Sequence, residues 1–340
     1  MAKRTRVVLA GCGGVCGSWM TPAVRERIEL VGLVDLLPAA AEQRRADFNA
    51  PDALCGTELK AMLRAVDPEV VFDCTVPEAH HSVTMAALKH GCHVLGEKPL
   101  ADTMAHARAM VAAAGKAERI YAVIQNRRYL PQIRALRKFI ESGKIGRVTT
   151  VQSNFFLGAH FGGFRDVMTH ALLLEMAIHS FDQARLISGA EAQHVYCHEW
   201  NPVGSWYRHG ASAIAIFEMT DDIVYTYQGA WSSEGCSTPW ECAWRIVGDK
   251  GSVTWDGADS FKAQAVRSDK GFHRPLRDLT VPVRVPQKKT GRHSGVILEF
   301  LDCVRHGGRP ETHAADNIKS LAMVFGAIKS ASTGKRLPVD

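Results

Sequence analysis

No stretch of this sequence approaches the ~20 consecutive apolar residues of a membrane span. The apolar run behind Lys3, Arg4 and Arg6 covers only residues 7–10 before Gly11-Cys12. A secretory leader needs a core of roughly 7–15, so the likeness to a lipoprotein signal fails on length. The nine cysteines stand singly, with no C-x-x-C pair. That excludes a disulfide framework and a zinc knuckle, and it points to a reducing, cytoplasmic setting. Cys12 and Cys16 share one loop but lack the partners a metal needs, so no metal is expected. Charge of neither sign dominates: 41 basic residues against 35 acidic leave +6 over 340 residues. That excess suits an anionic cofactor and is too small to argue for nucleic acid. Internal repeats and low-complexity tracts are missing, and only residues 282–295 read as linker. Neither a nucleic acid nor a membrane is an expected partner.

What is present is an ordinary globular composition, 46% hydrophobic and 22% charged, in a chain long enough for two domains. Residues 6–10, 30–35, 70–75, 93–96 and 121–124 are short β-branched apolar runs, the pattern of buried parallel strands. Helical patterns fall between them at 17–29, 38–49, 57–66, 77–91 and 104–117. Pro22 is expected to kink the first of these helices. Strands alternating with helices imply parallel βαβ units. After about residue 128 the pattern changes. Helices at 131–142 and 172–188 accompany strands at 148–156, 211–219, 223–232, 240–247 and 252–255, two pairs of which are joined by the tight turns 220–222 and 248–251. A helix over 314–333 closes the chain. The expectation is an α/β Rossmann domain with a parallel sheet over 1–127. An α+β domain with a large, mostly antiparallel open sheet follows over 128–340.

The loop Gly11-Cys-Gly-Gly-Val-Cys-Gly17 lies between the first strand and the first helix. Such a loop presents backbone N–H groups and a helix N-terminus to a pyrophosphate. Gly11 permits the tight turn, and Gly13 lets the backbone approach the phosphates. Cys16 stands where the third glycine of G-x-G-x-x-G would fall. Asp35 ends the next strand, placed to bond the adenosine ribose 2′-hydroxyl and repel a 2′-phosphate, so NAD is favoured over NADP. The plainer reading of Asp35 is an exposed turn aspartate. Arg44 and Arg45 would accommodate a 2′-phosphate, although on a helix such arginines more often face solvent.

Four further motifs are more specific: Thr75-Val-Pro77-Glu-Ala-His80, His93-Val-Leu-Gly-Glu97-Lys98-Pro99-Leu100, Asn126-Arg127-Arg128-Tyr129 and Glu175-Met-Ala-Ile-His179. In this order they closely resemble the Gfo/Idh/MocA oxidoreductases, over nearly the whole chain and most strongly over residues 7–130. The resemblance implies a dehydrogenase that uses NAD to oxidise a secondary hydroxyl of a sugar, cyclitol or sugar acid. It implies that the loop residues Gly11, Cys12, Gly13, Gly14, Val15 and Cys16 contact the cofactor. Asp35, Thr75, Pro77, His80, Glu97, Lys98 and Asn126 join them. Lys98 is the counterpart of the family lysine beside the nicotinamide. A hydroxyl that loses hydride must also lose its proton, which calls for a base and for a cation beside the developing alkoxide.

By the same resemblance, His179 is the preferred proton acceptor, with Lys98 assisting and Glu175 orienting or balancing the pair. The family has aspartate where this chain has Glu175. Four residues apart on an α-helix, Glu175 and His179 would share one face. Lys98, Arg127, His170, Glu175 and His179 are the expected substrate contacts; His293, in the segment 288–295 that reads as mobile, ranks below them. His80 has a plainer reading as a helix cap, and Arg127 as the partner of a carboxylate.

Six of seven tryptophans (Trp200, Trp206, Trp231, Trp240, Trp244, Trp255) fall in the second domain. Most are expected on a sheet face buried against another subunit of a homodimer or homotetramer. Trp231 and Trp240 are the candidates for a sugar platform. Two alternatives stay open: a redox-neutral, NAD-using glycoside hydrolase of the same fold, and a non-catalytic NAD-sensing protein.

Overall fold

The computed structural model describes residues 3–284 and 289–340. The part of the linker-like stretch at 285–288 lies outside the described residues. The chain divides into two compact units, one of Met1–Tyr129 with Lys289–Ile318, the other of Leu130–Lys288 with Lys319–Asp340. The sequence reading has one change of domain near residue 128. In the structure the chain re-enters the first unit with Lys289–Ile318.

The first unit is built on six parallel strands, β1 (Thr5–Ala10), β2 (Ile28–Val34), β3 (Leu54–Gly56), β4 (Val70–Asp73), β5 (His93–Gly96) and β6 (Tyr121–Val123), in the order β3-β2-β1-β4-β5-β6. Val7, Val8 and Leu9 of β1, and Val70, Val71 and Phe72 of β4, are fully buried. Continuous apolar runs of this kind are what strands covered on both faces require. Helices Pro38–Asp47, Leu59–Val66, Pro77–His90 and Met104–Ala117 connect them. Pro77 opens its helix, and Gly91 closes it in the left-handed conformation at φ +92°, as the sequence pattern implies.

The first connection departs from expectation. In place of one helix over 17–29 there is a single 3-10 turn, Val15–Ser18, and then a four-residue helix, Pro22–Arg25. Pro22 starts this second piece after an extended Thr21, so it separates two elements where a kink was expected. The stretch read as linker ends in another surprise, the helix Arg292–His306. Its Val296, Ile297, Phe300 and Leu301 enter the core of the first unit beside Val7, Leu9 and Trp19.

Among the described residues the second unit carries nine strands. They are β7 (Val148–Phe156), β8 (Ala192–Trp200), β9 (Ser212–Met219), β10 (Val224–Ala230), β11 (Ala243–Gly248), β12 (Gly251–Trp255), β13 (Phe261–Val266), β14 (Leu276–Leu279) and β15 (Leu337–Pro338). Their order is β14-β13-β12-β11-β7-β10-β9-β8-β15, antiparallel except for β7 with β10. Side chains alternate across this sheet. The row Val195, Phe217, Tyr225, Val151, Ile246, Val253, Ala263 faces the core of the unit. Phe181, from the helix Ile178–Ser188, meets Phe217 and Tyr227 edge-on there.

The next row, Tyr196, Ile216, Thr226, Gln152, Arg245, Thr254, Lys262, faces the other way. Trp231, Trp244 and Trp255 are at most 2% exposed within this single chain. The expectation that most tryptophans line a subunit face therefore does not hold for Trp244 and Trp255, and Trp231, a candidate sugar platform, is a core residue with no such surface. No helix among the described residues is long and apolar enough to cross a membrane.

Candidate functional site

The glycine loop owes its shape to Gly11. Its φ is +86°, and a Cβ there would lie 2.5 Å from the backbone carbon and oxygen of Cys74. Beyond it the loop is open. Gly13, Gly14 and Val15 are exposed, and a Cβ on Gly13 or Gly14 would meet nothing within 4 Å. Cys12 and Cys16 are buried beneath, Cys16 Sγ reaching Gly13 O at 3.0 Å. Burial pushes the Cys12 thiol up to about 12, so both act as small apolar residues. Only a short 3-10 turn follows the loop, so the loop's own N–H groups, and not a long helix dipole, are what it offers an anion.

Asp35 stands just past β2. Its Oδ2 accepts from Cys12 N at 2.8 Å and its Oδ1 from Leu37 N at 2.9 Å, which fixes the carboxylate against the loop. Arg44 is not on a solvated face. Its Nε and Nη2 donate to the carbonyls of Cys12 and Gly13 at 3.2 and 3.1 Å, while Nη1 holds Asp47. Arg45 pairs with Glu42 along its own helix.

The Glu97-Lys98-Pro99 turn follows β5, with the Lys98–Pro99 bond cis. Glu97 is buried, and both carboxylate oxygens are engaged: Oε1 accepts from Trp19 Nε1 at 2.8 Å, Oε2 from Lys98 N at 3.1 Å. Burial raises its pKa, against the pull of the Lys98 ammonium and the Trp19 hydrogen bond. Glu97 thus fastens the Lys98 turn to the chain just past the glycine loop. His80 braces the other side: its Nδ1 lies 3.0 Å from Pro99 O and its Nε2 3.1 Å from Thr75 O. Pro77 is the first residue of the helix that carries it. Thr75 is itself held by Asp73, whose Oδ1 accepts from Thr75 N and Oγ1. Asn126 and Arg127 lie in the 3-10 turn Asn126–Tyr129, with Arg127 buried.

In the second unit, Glu175 falls in a π-helical turn, Leu172–Ala177, and His179 in the α-helix Ile178–Ser188. Residues four apart across a π-turn are not stacked as on an α-helix, so spacing alone no longer puts this pair on one face. The Glu175 carboxylate is on Arg165, whose Nη2 and Nε donate to Oε1 at 2.8 and 3.2 Å. The guanidinium lies over Phe161 and Phe164, 5.0 and 4.6 Å from the ring centroids. His179 is 7% exposed. His170, in the left-handed region at φ +55°, places Nδ1 2.5 Å from Glu199 Oε2.

Two family models match this chain in order. The oxidoreductase family's NAD-binding Rossmann fold covers residues 5–125, and its C-terminal alpha/beta domain covers residues 137–340. The chain belongs to the Gfo/Idh/MocA oxidoreductase family. The chain is 24% identical to a 1,5-anhydro-D-fructose reductase of Ensifer adhaerens, over 98% of each protein. It is 26% identical to a D-apiose dehydrogenase of Paraburkholderia graminis, over 98% of this chain and 89% of that one. An oxidoreductase from Agrobacterium radiobacter, solved with NAD+, L-tartaric acid and magnesium, superposes with a TM-score of 0.84 at 18% identity, covering 99% of both chains.

Within this Gfo/Idh/MocA chain, sequence reasoning missed Trp19, Asp73, Arg165 and Glu199. Trp19 carried a signal, being the single tryptophan of the N-terminal half. Arg165 and Glu199 carried none, because their partners lie 10 and 29 residues away. Among the described residues no group of three or more His, Cys, Asp or Glu side chains is arranged to hold a metal.

The His170–Glu199 contact has a consequence for stability. The hydrogen bond to Glu199 raises the His170 pKa, burial opposing it. A histidine with a raised folded-state value contributes stability that is complete below its unfolded value, about 6.5. That contribution is lost as pH rises through the higher folded value. The melting temperature of the wild type is therefore expected to fall from near neutrality into mildly alkaline pH by more than that of His170→Gln. Parallel melting curves for the two proteins across that range would refute the pairing.

Proposed function

We propose that this protein oxidises a secondary hydroxyl of a sugar, cyclitol or sugar acid, with NAD as the hydride acceptor. The observation that carries the reading is the Lys98 turn. The backbone that carries the Lys98 side chain is held at the C-terminal end of a central parallel strand, its N–H by Glu97 and the following Pro99 carbonyl by His80, in the same unit as an open glycine loop backed by Asp35. Ligands of open parallel sheets bind outside the carboxyl ends of their strands. The relatives' names support the substrate class.

The residues fit a bound dinucleotide. Gly13 and Gly14 leave room above the loop for a pyrophosphate, and the Asp35 carboxylate suits a ribose hydroxyl and opposes a 2′-phosphate. Asn126 Oδ1 is a buried acceptor with no partner among the described residues. Bound NAD supplies the hydride acceptor, its nicotinamide ring. The chain's own groups handle the proton. Lys98 stabilises the alkoxide as the hydroxyl ionises, and His179 accepts the proton. Glu175, neutralised by Arg165, shapes the substrate side without adding net charge. Arg127 and His170 are assigned to substrate binding.

The outward face of β8–β10 exposes Tyr196, Ile214 and Ile216 by 40–44%, and we assign it to subunit contact in a homodimer or homotetramer.

The test is a spectroscopic screen for NADH formation across sugars, inositols and sugar acids, first with NAD and then with NADP. NADH formation with one substrate class, and a clear preference for NAD, is the expected result. NAD binding by calorimetry with no NADH from any polyol would overturn it. It would favour redox-neutral hydrolysis or NAD sensing.

A further inference from the structure

His293 lies outside every motif used above, yet it meets one of them, at Asn126. Asn126 Nδ2 is 3.2 Å from Nδ1 and 3.1 Å from Nε2 of the His293 ring. An amide nitrogen only donates, so the ring nitrogen it bonds must be the unprotonated one of a neutral imidazole. The environment enforces that state: burial, then the positive charges of Arg292 and Lys98, push the ring down to about 4.

The backbone that carries His293 is pinned to the same turn as Asn126. Gly291 N donates to Tyr129 O at 3.0 Å. Ser294 Oγ meets Thr21 Oγ1 at 2.8 Å. A Cβ on Gly295 would lie 2.8 Å from the Tyr129 ring, so that approach is as close as glycine allows. The Asn126 amide is thus gripped through its nitrogen. Its Oδ1, buried and without a hydrogen-bond partner among the described residues, is left for a donor that the chain does not supply.

We propose that His293 is a positioning residue for the nicotinamide end of the cofactor: it orients the Asn126 amide so that Oδ1 accepts an N–H from the nicotinamide carboxamide. This rests on the NAD-dependent reading above. A neutral ring suits the role, because it grips Asn126 without adding a positive charge beside Lys98 and the oxidised nicotinamide.

The experiment is a calorimetric comparison of three ligands on the full chain: NAD, acetylpyridine adenine dinucleotide and ADP-ribose. The second keeps the carbonyl but has a methyl where the carboxamide has NH2; the third lacks the nicotinamide altogether. The wild type is expected to prefer NAD to the acetylpyridine analogue by about tenfold, the worth of one well-made hydrogen bond. In His293→Ala and Asn126→Ala that preference falls to near unity while ADP-ribose affinity stays unchanged. In His293→Gln, whose amide oxygen can accept from Asn126 Nδ2, part of the preference returns. A His293→Ala protein that keeps the full tenfold preference, or a wild type that binds ADP-ribose yet does not discriminate the two dinucleotides, overturns the proposal. A wild type that binds neither NAD nor ADP-ribose overturns the functional reading itself, and the proposal with it.

Discussion

Replacing Lys98 with alanine is expected to cut turnover by about 100- to 10,000-fold, the range of a lost general acid–base group, while NAD affinity and melting temperature stay close to wild type. The separation follows from how the turn is built. The backbone at Lys98 is held by Glu97 Oε2 on its own N–H, and the next residue by His80 on the Pro99 carbonyl. Neither contact uses the ammonium. Removing the side chain takes away a cation and a proton-handling group without releasing the strand end that presents them. One compensation is expected: the Lys98 charge pulls down the Glu97 pKa, so in the variant that buried carboxyl binds its proton more tightly still. Lys98→Arg keeps the charge but cannot give up a proton near neutrality. It should therefore restore the Glu97 environment and little of the rate. Stopped-flow NADH formation and NAD calorimetry on the three proteins decide the matter. Undiminished turnover in Lys98→Ala would refute the assignment.

The largest expected effect on folding is at Gly11. Gly11→Ala puts a methyl group 2.5 Å from two backbone atoms of Cys74, at the crossing of the glycine loop and the end of β4. Backbone cannot step aside as a side-chain tip can. The left-handed conformation adds roughly 1–2 kcal/mol for a residue with a Cβ, and overpacking typically adds another 1–3 kcal/mol. A loss of about 3 kcal/mol is the expectation, read from denaturant unfolding, and NAD binding falls with it because the loop and Cys74 must separate. Gly13→Ala is the informative contrast. Its Cβ would meet nothing within 4 Å, so stability should hardly change. The methyl group would instead stand in the open space assigned to the pyrophosphate, and NAD affinity should drop. Equal stability losses at Gly11 and Gly13 would contradict this description of the loop.

Parts of the fold differ in how much of them can be read in advance. The parallel sheet is legible because strands buried on both faces need apolar centres, so β1, β4 and β5 show the apolar stretches 7–10, 70–72 and 94–95. The glycine loop and the Glu97-Lys98-Pro99 turn are legible because each compresses its chemistry into a few adjacent residues. The strand β8 was missed because its inward residues, Val195 and Cys197, alternate with His194, Tyr196 and His198, which blur the contrast that marks a half-buried strand. The helix Arg292–His306 was missed, because polar and glycine residues at its start hide the apolar stripe from Val296 to Leu301.

Local chemistry alone dictates two domains of α/β and α+β character, a glycine loop with an acidic residue at the end of the next strand, and a lysine after a central strand. Which distant groups meet is settled only once the chain is folded. It put Trp19 on Glu97, Arg165 on Glu175, Glu199 on His170, and His293 on Asn126 across 167 residues. Each of these pairs joins a polar group to a partner that no spacing rule reaches. Burial makes an unpaired polar group costly and so selects the partner in space, whatever its distance along the chain.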